Sequence, residues 1–429
     1  MDFEDFNGRG EDKDARETPD DRNWRSFKFF IIGLLSAVFV FIATSAAFPG
    51  IYARVGGVAP AAGLDAEGAV DTESVAAKLN KIYRVLDDYY VNEYDRRETV
   101  EGLYSGMVSG VGDPYTVYFD SEHYARFKED TSGTYAGIGL GVNIDKTSNA
   151  IVVVSPFDGA PAAEAGVQTG DWIIKVNEQD VTGEILDIAV SMMKGEPGTT
   201  VDLTLYRPSE KKEIEMTLTR KKIDVPTVSA AWLADGVAYI RISQFDRVTY
   251  DQFAEQYRAM EPTMKGLILD LRNNPGGLLN VVTDITDMLV PEGTIVYQEN
   301  KKGEKQYSNS KPDHISVPLL VLVNGGSASA SEVLSGAVQD MGVGELVGAQ
   351  TFGKGVVQNI IELGDGSAVK VTIAKYYTPN GRCIQDIGLT PDYPAEIGDG
   401  EIAKVVDGAI DPANDPQLLE AISVMNKKI

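Results

Sequence analysis

Twenty consecutive residues, Phe29 to Phe48, carry no charge (FFIIGLLSAVFVFIATSAAF). A helix needs about 20 predominantly apolar residues to cross a bilayer. Lipid offers no water to backbone N–H and C=O groups, so such a run must pair them internally as a helix. Two rivals compete with a membrane span. One is a helix buried in a globular core. The other is a secretory signal cut near the small residues Ser45-Ala46-Ala47. The run exceeds the ~7–15 apolar residues usual in a signal peptide, and its leader is long and net acidic. An uncleaved anchor at 29–48 is therefore expected. Arg22, Arg25 and Lys28 precede the run and only Arg54 follows it closely. That bias holds the polar tail of residues 1–28 in the cytoplasm and exports everything downstream.

The body divides by composition and periodicity. Residues 49–72 are rich in Ala, Gly and Pro and read as a tether. Val75, Leu79, Ile82, Leu86 and Tyr89 recur at helical spacing, and a second helical stretch covers 99–108. It stops at the breaker Gly110-Val111-Gly112-Asp113-Pro114, and 73–133 is read as a helical N-terminal region. Residues 134–223 form a small β-rich domain with two helices, predicted near 161–165 and 184–193. From 225 to 429, strands expected at 238–242, 266–271, 318–323 and 345–348 alternate with helices at 250–260, 278–289 and 331–341. That alternation predicts an α/β layer fold with a partly parallel sheet. Asp415 followed by Pro416 announces a C-terminal helix.

Scarce residues narrow the chemistry. One Cys excludes an intramolecular disulfide and Cys-rich metal sites, and two His exclude a His-rich one. A net charge of −25 opposes binding to nucleic acid. The segment Val323-Asn324-Gly325-Gly326-Ser327-Ala328-Ser329-Ala330-Ser331-Glu332 runs from a buried strand through a Gly turn into a helix. Such a turn exposes a hydroxyl at the positive helix end, with N–H groups free for an oxyanion. It also reads as an ordinary small-residue cap. A Ser nucleophile needs a base. His123 sits in the stretch Asp120–Tyr124 before the small domain and His314 in a polar connection, both away from any recognisable strand end or glycine turn, so both read as surface residues and a Ser-His-Asp triad is not expected. Lysine is the remaining common base, provided it is neutral. Lys354, among glycines and apolar residues, and Lys375, in an apolar stretch, both qualify, and spacing does not separate them. Asp270-Leu271-Arg272-Asn273-Asn274-Pro275-Gly276-Gly277 is a further strand-to-turn site, able to offer an N–H to a ligand or merely to turn tightly.

Taken together, these motifs resemble the carboxy-terminal processing (tail-specific) proteases, serine peptidases with a Ser-Lys dyad and an embedded PDZ domain. The resemblance covers residues 73–392. It is carried by GSASASE from Gly326, TFGKGVVQ from Thr351, DLRNNPGG from Asp270, YYTPNGRCIQ from Tyr376 and GDPYTVYF from Gly112. In the small domain, GIGL from Gly137 and AGVQTGDWIIKVN from Ala165 resemble a protease-type PDZ domain. The resemblance implies Ser329 as nucleophile, Lys354 as general base and Gln358 as the polar residue that orients it. It implies oxyanion donors at the N–H groups of Ala330 and Gly276, and gives Lys375 a structural role. Cys383 stands where relatives often carry Ser and is read as non-catalytic.

The resemblance further implies that Gly137, Ile138, Gly139 and Leu140 dock the terminal carboxylate of an extended peptide, with apolar C-termini as the substrate class. No metal or cofactor is implied. Relatives assemble through terminal helices, so residues 73–108 and 416–425 are candidates for homodimerisation, and an activating partner protein is compatible with the family. The expected address is the inner (cytoplasmic) membrane of a bacterium, single-pass, with the catalytic body in the periplasm or outside. An alternative reading is a catalytically silent, membrane-tethered PDZ adaptor that captures C-termini. A weaker one is an esterase, which would have no use for a tail reader.

Overall fold

The computed structural model describes residues 63–64, 69–396 and 414–429. The predicted tail, the uncharged segment at 29–48 and most of the tether at 49–72 lie outside the described residues. Among the described residues no helix is long and apolar enough to cross a membrane. The chain forms two compact units, one up to Arg96 and one from Arg97 to Ile429. In the first, helix α1 (Thr72–Tyr89) starts where the Asp71 carboxylate accepts the Ser74 N–H at 3.2 Å. Helix α2 (Arg96–Ser109) follows and ends at the predicted glycine breaker.

Past that breaker comes a short strand, β1 (Val117–Phe119), inside the region expected to be helical. Helix α3 (Ser121–Ser132) is capped by Asp120, whose carboxylate accepts the His123 N–H at 2.8 Å, and closes on left-handed Gly133. The small domain then runs β2 (Thr134–Gly137), β3 (Leu140–Asp145), β4 (Ala150–Pro156), α4 (Pro161–Glu164), β5 (Trp172–Val176), β6 (Gln179–Asp180), α5 (Leu186–Met193), β7 (Thr200–Arg207), β8 (Lys212–Thr219) and β9 (Lys221–Asp224). Its main sheet has the order β3-β4-β5-β7-β8, and β2 pairs with β9. Along β7, Val201, Leu203 and Leu205 alternate inward onto Ile151, Val153 and Ile173 of β4 and β5. Each fully buried side chain of this size contributes about 1.5–3 kcal/mol. Arg207 ends the inward row, and its guanidinium holds the Asp171 carboxylate with two 2.8 Å bonds. The Asp of the GDW turn is therefore structural.

The larger body comprises β10 (Val228–Trp232), β11 (Val237–Ile242), α6 (Thr249–Met260), β12 (Gly266–Asp270), α7 (Leu279–Asp287), β13 (Gly293–Asn300), β14 (Lys305–Ser310), β15 (Leu319–Val323), α8 (Ala330–Asp340), β16 (Gly344–Gly348), β17 (Val356–Glu362), β18 (Ala368–Tyr377), β19 (Tyr393–Pro394) and α9 (Pro416–Met425). One sheet has the order β10-β11-β12-β15-β16-β19 and is parallel except for β10. Strands β12 and β15 are buried along their whole length, as continuous apolar runs covered on both faces must be. One face carries α6, α7 and α8; the other carries α9 through Leu418, Ala421, Val424 and Met425. A second, antiparallel sheet, β1-β18-β13-β14 with β17 on β18, was not expected from the sequence. In the larger body the predicted helices and the strands of the parallel sheet agree with the observed ones to within two residues, whereas α2 begins three residues before the predicted 99.

The C-terminal helix is anchored by charge as well as by apolar contact. Arg272, 1% exposed, forks onto Asp270 and onto Asp415, the N-cap of α9. Tyr239 donates its hydroxyl to Asp270 at 2.6 Å. Burial pushes the Asp270 carboxyl up, but the charge and hydrogen bonds of Arg272 outweigh it and hold the group below the usual carboxylate range. The Arg of DLRNNPGG is thus a tie between a strand end and α9.

Candidate active site

Three neighbouring parallel strands end on the same side of the sheet. Strand β12 leads into the DLRNNPGG turn, β15 into GSASASE and β16 into TFGKG. Sites on open α/β sheets gather at such carboxyl ends. Asparagine side chains knit the first two turns together. Asn324 Oδ1 accepts the Asn273 N–H at 2.9 Å, and Asn324 Nδ2 donates to Asn273 Oδ1 at 3.0 Å.

The three serines of the SASAS run differ sharply. Ser327 is fully buried and donates its hydroxyl to the Leu271 carbonyl at 2.8 Å. Ser331 is also fully buried and donates to the Asn274 carbonyl at 2.9 Å. Only the middle residue, Ser329, retains partial exposure. It is the N-cap of α8 with φ 54° and ψ −112°, a left-handed conformation that costs a non-Gly residue on the order of 1–3 kcal/mol. Its neighbour Ala330 opens the helix, so its N–H has no carbonyl one turn earlier within the helix to bond. Gly276 packs against this turn. A Cβ there would stand 2.8 Å from Ser329 Cβ and 2.9 Å from Ala330 N, at a φ of +104°, so only glycine fits. The Gly276 N–H is donated to Asn274 Oδ1 at 2.9 Å.

A fully buried carboxylate joins the serine turn to the lysine turn. Glu332 Oε2 accepts the N–H of Ser329 and the N–H of Lys354, each at 2.9 Å. Its Oε1 accepts the Gly353 N–H at 2.7 Å and the Thr351 hydroxyl at 2.6 Å. All four partners donate, so both carboxyl oxygens act as acceptors. Tyr376 makes the same link from the other side, donating its hydroxyl to the carbonyl oxygens of Ser329, at 3.0 Å, and of Lys354. Neither residue was singled out from the sequence. The spacing Ser329-x-x-Glu332 is that of a capping box and carried a readable signal for one of them. Tyr376 needed knowledge of which face of β18 points inward.

That alternation also separates the two candidate lysines. Tyr376 is buried and Lys375, beside it on β18, is exposed. Lys354 is half-buried, with its Nζ 4.9 Å from the centroid of the Tyr115 ring. Desolvation chiefly, helped by the charge of Lys370, lowers the Lys354 ammonium below its ordinary pKa, against the opposing pull of Asp113 and Glu332. Gln358, on β17, donates its amide to Thr372 Oγ1 at 3.3 Å. His123 is exposed and pairs with Asp120 at 2.7 Å, and exposed His314 contacts the Pro312 carbonyl. Among the described residues no cluster could hold a metal ion.

A cavity of about 500 Å³ is lined by Tyr135, Ile138, Leu140, Val142, Val190 and Met193 of the small domain, with Glu129 and Asp130 of α3 and Gln244 and Asp246 of the larger body. It lies between β3 and α5. The carbonyls of Ile138 and Gly139 turn back into the domain, accepting the N–H groups of Ala162 and Phe157 at 3.0 Å each. Gly139 has φ +77°, and a Cβ there would meet Ala160 Cβ at 2.2 Å. Arg220 closes the end of α5, donating to the carbonyls of Met192 and Met193. Glu129 of α3 and Lys194 at the end of α5 form a 2.9 Å ion pair at the rim.

Residues 236–395 match Peptidase family S41, residues 139–218 a PDZ domain, and residues 58–123 the activating protease CtpB N-terminal domain. A carboxy-terminal-processing protease of Bartonella bacilliformis is 34% identical over 394 residues, covering 84% of this chain and 90% of that one. The chain belongs to the carboxy-terminal processing protease family. A carboxyl-terminal-processing protease of Synechocystis is 39% identical over 309 residues, covering 70% of this chain and 72% of its own. Among solved structures, a candidate S41 protease from Bacteroides fragilis shares the fold with a TM-score of 0.51 at 16% identity, over 79% of this chain and 93% of its own. The chain is accordingly a serine-type peptidase carrying a PDZ domain, and the turns around Ser329 and Lys354 lie within the span matched to the S41 family.

Proposed function

We propose that this serine peptidase is anchored in the inner membrane of a bacterium through residues 29–48 and cleaves exported proteins that it recognises by apolar C-terminal tails. Ser329 is the nucleophile and Lys354 the general base. One observation carries the assignment. Glu332 and Tyr376 bind the backbones of both residues at once, uniting the one accessible serine of its run with a desolvated lysine. A neutral lysine is the form able to take a proton, and desolvation favours it.

The steps follow from these groups. Lys354 Nζ takes the hydroxyl proton as Ser329 Oγ bonds to the peptide carbonyl carbon. The resulting oxyanion accepts hydrogen bonds from the Ala330 N–H, at the positive end of α8, and from the Gly276 N–H. The latter must be shared with, or released from, Asn274. The C–N bond then breaks, and the leaving amine takes the proton from Lys354. Water, deprotonated in turn by Lys354, hydrolyses the acyl-enzyme and restores Ser329. Gln358 is a lesser contributor that acts by positioning.

In the small domain, the tail lies as an added strand in the cavity between β3 and α5, its carboxylate on the N–H groups of Gly137, Ile138, Gly139 and Leu140. Ile138, Leu140, Val190 and Met193 make that groove apolar, which supports apolar terminal side chains. The cationic residues before the uncharged run support a cytoplasmic tail and an exported body. In this reading the N-terminal region, whose residues 58–123 match the CtpB N-terminal domain, mediates assembly with a second copy or an activating partner.

The test uses the full chain in detergent micelles with the Ser329→Ala and Lys354→Ala variants. The substrate is an unfolded protein ending in an apolar tail, and a second version carries a charged tail. Both variants are expected to lose at least about a thousandfold in rate, and the charged tail to slow the wild type. Equal degradation by all three forms would refute the dyad.

A further inference from the structure

The GDPYTVYF motif has no role in the mechanism above, yet the fold brings it to the base. Strand β1 pairs antiparallel with β18, Val117 opposite Lys370 and Phe119 opposite Ala368. The residues just before β1 therefore continue along β18 toward Thr372. There the Thr372 N–H is donated to Thr116 Oγ1 at 3.1 Å, while the Thr372 hydroxyl accepts from Gln358. Thr116, 6% exposed, donates its own hydroxyl to Asp113 Oδ2 at 2.6 Å. Asp113 Oδ1 accepts the Tyr115 N–H at 3.0 Å, which fixes the turn. Held this way, the Tyr115 ring faces Lys354, with Nζ 4.9 Å from its centroid.

We infer that Tyr115 is a positioning residue for the reaction, its ring face holding the Lys354 side chain toward Ser329, so that the segment before the PDZ domain completes the catalytic apparatus. The inference rests on Lys354 being the base. A lysine has four rotatable carbons and loses about 2 kcal/mol of rotamer freedom when fixed, so a flat partner that restricts it favours the reactive geometry. The ring's quadrupole attracts the ammonium and not the neutral amine. Tyr115 thus steadies the proton-bearing state formed after Ser329 gives up its proton. The groups facing Lys354 are Tyr115 and Asp113 from this turn, Glu332 from α8 and Lys370 from β18; Asp386 faces Tyr115 itself. Lys370 is held over the rings of Phe119 and Phe127, so β1 and α3 also set the second cation.

The test is a pH–rate profile of the full chain with Tyr115→Phe, Tyr115→Leu, Tyr115→Trp and Lys354→Ala. Tyr115→Leu removes the quadrupole but keeps an apolar wall. Its kcat is expected to fall about tenfold with little change in KM, and the midpoint of its acidic limb to move down by about half a pH unit or more. Tyr115→Phe, which keeps the ring, restores both, and Tyr115→Trp moves the midpoint upward. Unchanged midpoints in both the Leu and Trp variants, with Lys354→Ala inactive, overturn the inference and leave the dyad standing. Equal losses in the Phe and Leu variants overturn it as well, because the ring is then irrelevant. An active Lys354→Ala removes the dyad itself. Should Tyr115→Leu fail to fold, as judged by circular dichroism, the Phe and Trp profiles decide alone.

Discussion

Glu332→Ala removes, in one step, the acceptor of three backbone amides and a hydroxyl that hold the serine and lysine turns together. The N–H groups of Ser329, Gly353 and Lys354 lose bonds of 2.9, 2.7 and 2.9 Å, and the Thr351 hydroxyl one of 2.6 Å. Glu332 is fully buried, so water does not replace these bonds without opening the structure. Each orphaned amide costs about 1–3 kcal/mol, so three give about 3–9 kcal/mol, less whatever a water admitted to the cavity recovers. Glu332→Gln is the gentler probe. Turned one way, its NH2 meets the N–H donors of Ser329 and Lys354; turned the other, it meets the Gly353 N–H, and the Thr351 hydroxyl must rotate to accept. That variant is expected to lose about 1.5–3 kcal/mol. If half of this loss misplaces Ser329 and Lys354 relative to each other, kcat falls about 4- to 13-fold with KM little changed. Urea unfolding measures the stability, and steady-state cleavage of a tailed substrate gives kcat and KM. The reasoning is refuted if Glu332→Ala unfolds within about 1 kcal/mol of wild type and cleaves within twofold of it.

Other consequences can be checked independently. Activity should rise with pH through the depressed pKa of Lys354, because only its neutral form accepts the Ser329 proton; a rate that falls over that limb contradicts the assignment. The same depression means the unfolded chain binds more protons between the folded and unfolded pKa values. Stability from this group therefore increases as pH rises through that window, and Lys354→Met should flatten the trend in urea titrations. Arg272→Met leaves the buried carboxylates of Asp270 and Asp415 without their cation and should cost about 3–5 kcal/mol, with hydrogen exchange in α9 accelerating first. Gly139→Ala forces a strained φ and a clash with Ala160, so tail binding measured by fluorescence anisotropy should weaken while cleavage of a short, tail-free peptide persists.

Much of the fold could be read directly. Continuous apolar runs such as Leu319–Val323 announce strands buried on both faces, and the helices between them follow from period and caps. The antiparallel sheet of β13, β14, β17 and β18 escaped notice because its burial is partial and its residues mixed, as in the Lys305–Ser310 strand. Strand β1 escaped for a different reason. Three residues carry no periodic signal, and only pairing with β18 makes them a strand.

What the sequence determined alone was the range of chemistry to expect: two histidines outside any strand end or glycine turn direct the search for a base to lysine, one cysteine leaves no intramolecular disulfide, and an uncharged run of twenty residues is long enough for a membrane-crossing helix. Those are properties of composition and spacing along the chain. Which serine stays accessible, which lysine is desolvated and which residues tie them together were decided by tertiary contacts. Ser327, Ser329 and Ser331 are alike as letters, yet the carbonyls of Leu271 and Asn274, more than fifty positions away, engage two of them and spare the third. Lys354 and Lys375 are equally plausible in the chain, and the pleat of β18 turns one of them to water. Burial and hydrogen-bond partners depend on what is brought near from elsewhere, and a local pattern holds no record of that.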